Sequence, residues 1–173
     1  PEGTATPQPC AMGYYLPVTG SQNAASCIPC FPGAFSDVPG RPDECSPCPA
    51  GSFSAALHST ECAACPKGGY CASEGAASAA MAFTQCPAGT YNPDRGALSV
   101  ASCLSCPAGK ASPVPGSESA DVCQHCAPGT ISPMAGASSC TNCAGGTYQD
   151  ASGKTICKPC EQGHYCLPGA AAP

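Results

Sequence analysis

The chain has no tryptophan and few large apolar side chains of any kind. Leu, Ile, Val and Phe together make 17 of 173 residues, and much of the nominal 43% hydrophobic content is Ala and Cys. That shortage excludes a hydrophobic core of ordinary size, because too little apolar surface is available to offset the entropy of ordering the chain. Charge is sparse as well, with 6 basic and 11 acidic residues scattered singly and a net charge of −5. There is no basic stripe for nucleic acid and no acidic block for a cationic partner. No run approaches the roughly 18 apolar residues that a membrane helix needs. The nearest, Gly75 to Phe83, is short and mostly Ala, so no membrane insertion is expected within these residues. The chain opens Pro1-Glu2-Gly3 without Met or a signal-peptide pattern, which reads as a mature or internal fragment whose targeting segment has been removed.

Cysteine is abundant instead, with 18 residues beside 20 Gly and 21 Pro. So poor a core would ordinarily mean disorder. Cross-links reverse that expectation by lowering the entropy of the unfolded chain where burial cannot offset it. Cysteine at this density persists as disulfide only in an oxidising compartment, so the expected location is extracellular or at the cell surface.

The cysteines are ordered. Reading forward from Cys10, Cys30, Cys48, Cys65, Cys86, Cys106, Cys126, Cys143 and Cys160, a glycine follows three residues later in all nine cases, from Gly13 and Gly33 through to Gly163. Two residues beyond the glycine stands an aromatic in seven of the nine: Tyr15, Phe35, Phe53, Tyr70, Tyr91, Tyr148 and Tyr165, with Ala111 and Ile131 as exceptions. The unit therefore reads Cys-x-x-Gly-x-aromatic, a loop, then Cys-x-x-Cys. Nine matches in register require a structural cause, and a turn with positive φ or a close backbone approach supplies one, since only glycine tolerates either.

A longer period overlies the short one. Cys10, Cys27 and Cys30 recur 96 residues later as Cys106, Cys123 and Cys126, and Cys45, Cys48, Cys62, Cys65 and Cys71 recur 95 residues later as Cys140, Cys143, Cys157, Cys160 and Cys166. The expected organisation is a Pro/Thr-rich lead-in over residues 1–9, a first long period of five units over 10–105, and a second, incomplete period over 106–173, with the pattern expected to run on past Pro173. Loops such as Ser36 to Glu44 and Asn92 to Ser102 show neither helical nor alternating periodicity. The expected fold class is small disulfide-rich repeats in an elongated tandem array, with sparse short β-ribbons and little or no helix; each repeat contacts its neighbours and there is no common core.

Eighteen cysteines allow about 34 million pairings, so sequence alone leaves the connectivity open. If each unit is closed by its own first and last cysteines, the bonds are Cys10–Cys27, Cys30–Cys45, Cys48–Cys62, Cys86–Cys103, Cys106–Cys123, Cys126–Cys140 and Cys143–Cys157, leaving Cys65 with Cys71 and Cys160 with Cys166. No thiol is then left over. The seven Cys-x-x-Cys pairs also resemble zinc-ribbon spacing. An overlapping ladder of pairs suits serial disulfides better than separate four-ligand sites, and Cys71 and Cys166 fit no zinc pattern, so no metal is expected. Thioredoxin-like chemistry needs one privileged pair on a βαβ scaffold, whereas here the pair is multiplied.

His58, His125 and His164 fall in different units without a shared serine or acid context, so no nucleophile and base can be assigned. Acidic residues form no calcium loop. No enzyme activity and no cofactor are expected. The aromatic row reads as packing, one ring over each unit's disulfide, rather than as a carbohydrate-binding stripe. Asn23, Asn92 and Asn142 lack a sequon. Ser and Thr beside Pro and Ala resemble O-glycosylated stalks, which makes Thr4, Thr6, Ser112 and Ser132 candidate O-glycosylation sites beside the reading of an unmodified polar loop.

The opening Cys86-Pro-Ala-Gly-Thr-Tyr91 and the closing Cys103-Leu-Ser-Cys106 resemble the ephrin-receptor-like cysteine-rich repeat of the growth-factor-receptor and tumour-necrosis-factor-receptor type, and the resemblance runs from Cys10 to Cys166. Ala127, Ala144 and Glu161 depart from the usual Pro, and Ala111 from the aromatic. The resemblance implies a rod of stapled modules in which each first loop closes from one Cys to the next. Such arrays occur in receptor ectodomains, adhesion proteins and large surface proteins. The loops lack the charged and aromatic clusters of a binding hot spot. The functional expectation is a non-enzymatic extracellular structural protein, rod-like and a building block of a surface filament or coat. Its expected partners are further copies or other extracellular proteins, with covalent glycans. The alternative is a ligand-binding or adhesion ectodomain of a cell-surface receptor.

Overall fold

The computed structural model describes residues 6–173. Among the described residues, eight two-stranded ribbons carry the regular structure, and helix is confined to one four-residue turn, Ala79–Ala82, and three 3-10 turns, Ala24–Ser26, Val100–Ser102 and Ala120–Val122. The fold is thus disulfide-rich, with short ribbons and little helix.

Each ribbon grows from the repeat motif. In seven of the eight ribbons the recurring spacing puts a turn at Cys-x-x-Gly, and the two residues after the glycine run extended against the two residues inside the next Cys-x-x-Cys; in the other, Gly69–Cys71 pair with Phe83–Gln85. Thus Tyr14–Tyr15 pair with Ile28–Pro29, Ser52–Phe53 with Ala63–Ala64, Thr90–Tyr91 with Leu104–Ser105 and Thr147–Tyr148 with Lys158–Pro159. Ala111 keeps this register opposite Gln124 although it lacks a ring, and it is buried. A two-stranded ribbon of two residues is far below what is independently stable in water. A disulfide of the first-to-last type lies beside each of the seven ribbons built in this way and ties its strands together, whereas Cys65–Cys71 does not join the two strands of the eighth.

Nine disulfides join Cys10–Cys27, Cys30–Cys45, Cys48–Cys62, Cys65–Cys71, Cys86–Cys103, Cys106–Cys123, Cys126–Cys140, Cys143–Cys157 and Cys160–Cys166. Three loops span 17 residues and the others of the first-to-last type span 14 or 15. Each 17-residue loop holds one 3-10 turn directly before its closing cysteine, so the additional residues are taken up as a single local turn. Asn23 and Ser119 cap two of these turns, their side-chain oxygens accepting the N–H of Ala25 and Asp121. Closing a loop of this length contributes about 3 kcal/mol in the chain-entropy model. The buried interior is accordingly made of sulfur: Cys48, Cys65, Cys71, Cys86 and Cys106 are fully buried, and the accompanying apolar residues are Ala76, Ala97, Ala111 and Tyr148.

The chain forms two compact units. The first takes the described residues up to Pro66 with Cys71–Phe83 and Arg95–Leu98; the second takes Lys67–Tyr70, Thr84–Asp94 and Ser99–Pro173. No helix among the described residues is long and apolar enough to cross a membrane.

Candidate functional site

The feature built most consistently is the contact of each repeat with the next. Four backbone hydrogen bonds recur at 2.7–3.1 Å, and each lies within one compact unit or the other. The motif glycine donates its N–H to the carbonyl three residues past the next motif glycine, as Gly13 does to Ser36 and Gly109 to Ser132. Its own carbonyl accepts the N–H of the next repeat's opening cysteine, as Gly33 does from Cys48 and Gly129 from Cys143. The opening cysteine's carbonyl accepts an N–H from seven residues past the next glycine in nearly every repeat, as Cys10 does from Gly40 and Cys106 from Gly136. The residue three past the glycine donates its N–H one position further along, as Ser36 does to Ser59 and Asn92 to Ser117. At a net value of about 1 kcal/mol for each bond, such a contact matches the disulfide in weight.

The expected positive φ is present at all nine motif glycines, from Gly13 at 81° to Gly163 at 82°. The close approach is present too. A Cβ on Gly51 would run into the carbonyl of Gly96 and the side chain of Leu98, residues of the second repeat onward. The same collision awaits Gly13 at His58, Gly68 at Gly116 and Gly109 at Gly153.

Two further rows carry the contact without having been singled out from sequence. One lies three residues past the glycine and is buried throughout its polar members: Ser36, Ser54, Asn92, Ser112, Ser132 and Gln149. Cys71 and Cys166 occupy the same position, so each short disulfide replaces a buried polar side chain while the carbonyl keeps its inter-repeat bond. The other lies seven residues past the glycine, at Gly20, Gly40, Gly75, Gly96, Gly116, Gly136 and Gly153, all with positive φ, joined by Gly169 at six residues. His58 interrupts it at φ 61°, the one non-glycine residue with positive φ among those described. A second glycine register, seven of nine in step, was the available signal.

The candidate glycosylation sites separate on this basis. Ser112 and Ser132 are 0% and 1% exposed, and their hydroxyls are donated to the carbonyls of Val114 and Met134. Both hydroxyls are therefore turned inward in the folded chain: the Ser-Pro step sits on the buried row and its proline faces outward. Thr6 is exposed, and Thr4 lies outside the described residues. The aromatic row is uneven. Tyr148 is buried, Tyr15, Phe35, Phe53, Tyr70 and Tyr91 are half-buried, and Tyr165 is fully open, which corrects the expectation of a covering ring in every repeat. Tyr165 lacks a ribbon partner among the described residues.

No group of three or more His, Cys, Asp or Glu among the described residues is placed to hold a metal ion. All eighteen cysteines are in disulfides. The one salt bridge among the described residues joins Lys158 Nζ to Asp150 at 2.7 Å, with the ammonium 5.7 Å from the ring centre of Tyr148. The hydrogen bond from Lys158, ahead of its charge, holds the Asp150 carboxyl below its ordinary pKa, and Asp150 raises Lys158 in return.

The chain matches the family model described as tyrosine-protein kinase ephrin type A/B receptor-like over residues 33–81, 84–123 and 129–168. These stretches are the cysteine-rich repeats themselves. No curated protein matches the chain.

Proposed function

The chain belongs to the ephrin type A/B receptor-like cysteine-rich family, and we propose that it serves as a non-enzymatic structural segment of an extracellular or cell-surface protein, a building block of a surface filament or coat. The observation that carries this reading is the inter-repeat contact, made by backbone groups at each step. A fold held by backbone bonds and disulfides leaves the outward side chains largely free of structural duty, and few of those side chains are charged. Nine disulfides suit an oxidising exterior. The long periods, residues 10–105 and 106–173, are read as the building blocks, and Thr6 as the exposed position open to covalent sugar.

A ligand-binding or adhesion ectodomain is the second reading, favoured by the receptor-like description of the matched family. Immunogold electron microscopy of the native material with an antibody to this chain separates the two. Label spread along a filament or coat supports the structural role. Label confined to the plasma membrane, together with saturable capture of an extracellular protein, transfers the chain to the ectodomain class.

A further inference from the structure

The nine disulfides do not overlap, so the chain passes from each closed loop to the next through a stretch that no cross-link spans. Seven of these eight stretches are two residues long, and every one of the seven is a paired ribbon strand, as Ile28–Pro29 and Leu104–Ser105 are. The eighth runs from Ala72 to Gln85, between Cys71 and Cys86.

Both ends of that stretch are anchored. Gly75 donates its N–H to the Cys48 carbonyl, the Ala76 carbonyl accepts the N–H of Ser54, and Phe83–Gln85 pair with Gly69–Cys71. Between them, Ala77 to Ala82 make no backbone hydrogen bond to any other part of the chain among the described residues. The turn Ala79–Ala82 is closed by the Phe83 N–H on the Ala79 carbonyl, with the Met81 N–H 3.3 Å from the Ser78 carbonyl, and the Ser78 side chain does not cap it. Ala80 is exposed and Met81 is 80% exposed. So short a turn is not stable by itself and opens locally. Exposed loops of small residues are where chains are nicked. An endoprotease also grips several residues in extended form on both sides of the bond. A two-residue ribbon strand between two cysteines cannot supply them, whereas residues 77–83 can.

The basic residues are placed in the opposite way. Arg41, Lys67, Arg95, Lys110 and Lys154 each lie inside a disulfide loop, where a cut leaves the pieces joined. Lys158 is followed by Pro159, whose ring fixes φ and removes the N–H. An enzyme that reads basic side chains therefore cannot sever the chain, and no Lys or Arg lies between Ala72 and Gln85.

We propose that residues 77–83 are a processing site for an extracellular endoprotease whose specificity pocket takes a small aliphatic side chain, with cleavage between Ala80 and Met81. Water is the co-reactant: the peptide C–N bond breaks, the carbonyl carbon of Ala80 takes the hydroxyl and the nitrogen of Met81 takes the proton. The products, residues 1–80 and 81–173, hold four and five disulfides, and no covalent bond joins them. The site is the same in a coat subunit and in a receptor ectodomain.

The test uses the oxidised 173-residue chain. Pancreatic elastase is expected to release two fragments on a non-reducing denaturing gel, with new termini between Ala77 and Phe83 by mass spectrometry. Trypsin is expected to leave one band until a thiol reductant is added. Ala79→Asp combined with Ala80→Asp and Ala82→Asp puts charge where the pocket needs a small apolar group; this variant is expected to keep its disulfides and to release fragments about tenfold more slowly or worse. Amino-terminal labelling of the native material is expected to find a terminus between Ala77 and Phe83. First release at another position, two bands from trypsin without reductant, undiminished release from the triple variant, or native chain without a terminus in that stretch would each overturn the site. The elastase, trypsin and native-chain measurements need no variant, and none of them moves the immunogold label that separates coat from ectodomain.

Discussion

The imidazole of His58 stacks on the ring of Tyr14, centroids 4.7 Å apart and planes 19° from parallel. The two belong to repeats separated by one other, and the peptide that holds His58 also fills the space beside Gly13. His58 stands where neighbouring repeats have glycine, at φ 61°, a conformation that costs an ordinary side chain about 1 kcal/mol or more. An aromatic stack contributes about 0.5–1.5 kcal/mol, enough to offset that cost. His58→Gly is therefore expected to change stability by less than about 1 kcal/mol, and His58→Val, β-branched and unable to stack, to lose about 2 kcal/mol or more. Denaturant unfolding with the disulfides intact reads both; equal losses would remove the stack as the compensating term.

Gly51→Ala and Gly146→Ala separate conformation from collision. Both glycines have φ near 82°, but only Gly51 faces a carbonyl with which a new methyl would collide. Gly146→Ala is expected to cost about 1 kcal/mol from the backbone alone. Gly51→Ala adds a steric conflict with Gly96 and is expected to cost at least about 3 kcal/mol, or to prevent oxidative folding. Recovery of fully oxidised monomer and its denaturation midpoint measure the difference.

The two kinds of disulfide should differ in weight. The Cys65–Cys71 bond closes only six residues, and Cys71 stands on the row that elsewhere carries a buried serine. The pair Cys65→Ala with Cys71→Ser restores that hydroxyl and is expected to cost about 2 kcal/mol, against about 3 kcal/mol for Cys48→Ala with Cys62→Ala. Peptide mapping of the unreduced chain should recover Cys48 linked to Cys62, and thiol labelling in denaturant should modify no cysteine. Two labelled thiols would break the scheme.

Asp150 and Lys158 set a pH response with a definite sign. The carboxyl titrates below its ordinary value, so its contribution is complete above about pH 4 and is lost as pH falls through the lowered folded value. The ammonium is raised, so its contribution is complete below about pH 10 and is lost as pH rises through the raised value. Both groups are exposed, which keeps the effect on stability small. Lys158→Met should return the Asp150 titration, followed by NMR, toward the ordinary carboxylate value. An unmoved titration would show that the pair is not formed in solution.

Sugar mapping tests the burial of the serine row. Chain secreted from a cell that performs O-glycosylation is expected to carry no sugar at Ser112 or Ser132, whose hydroxyls are turned inward. Sugar at either residue on chain with native disulfides would mean that the row opens.

The glycine three residues after each opening cysteine was legible in the amino-acid sequence because its cause is local: a positive φ is a property of one residue, and only glycine adopts it freely. The scarcity of large apolar residues likewise determined that sulfur would fill the interior and that the ribbons would be short. Ser112 and Ser132 were not legible in that way, since a Ser-Pro step has the composition of an exposed stalk. Their burial depends on where the following repeat lies, through bonds such as Gly109 N–H to the Ser132 carbonyl. The second glycine row was decided at the same level. From the third repeat on, its members close their carbonyls against a glycine two repeats earlier, as Gly96 does against Gly51. Tyr148 and Tyr165 share one place in the motif and differ from 8% to 84% in exposure, because a side chain's burial belongs to the neighbour that covers it.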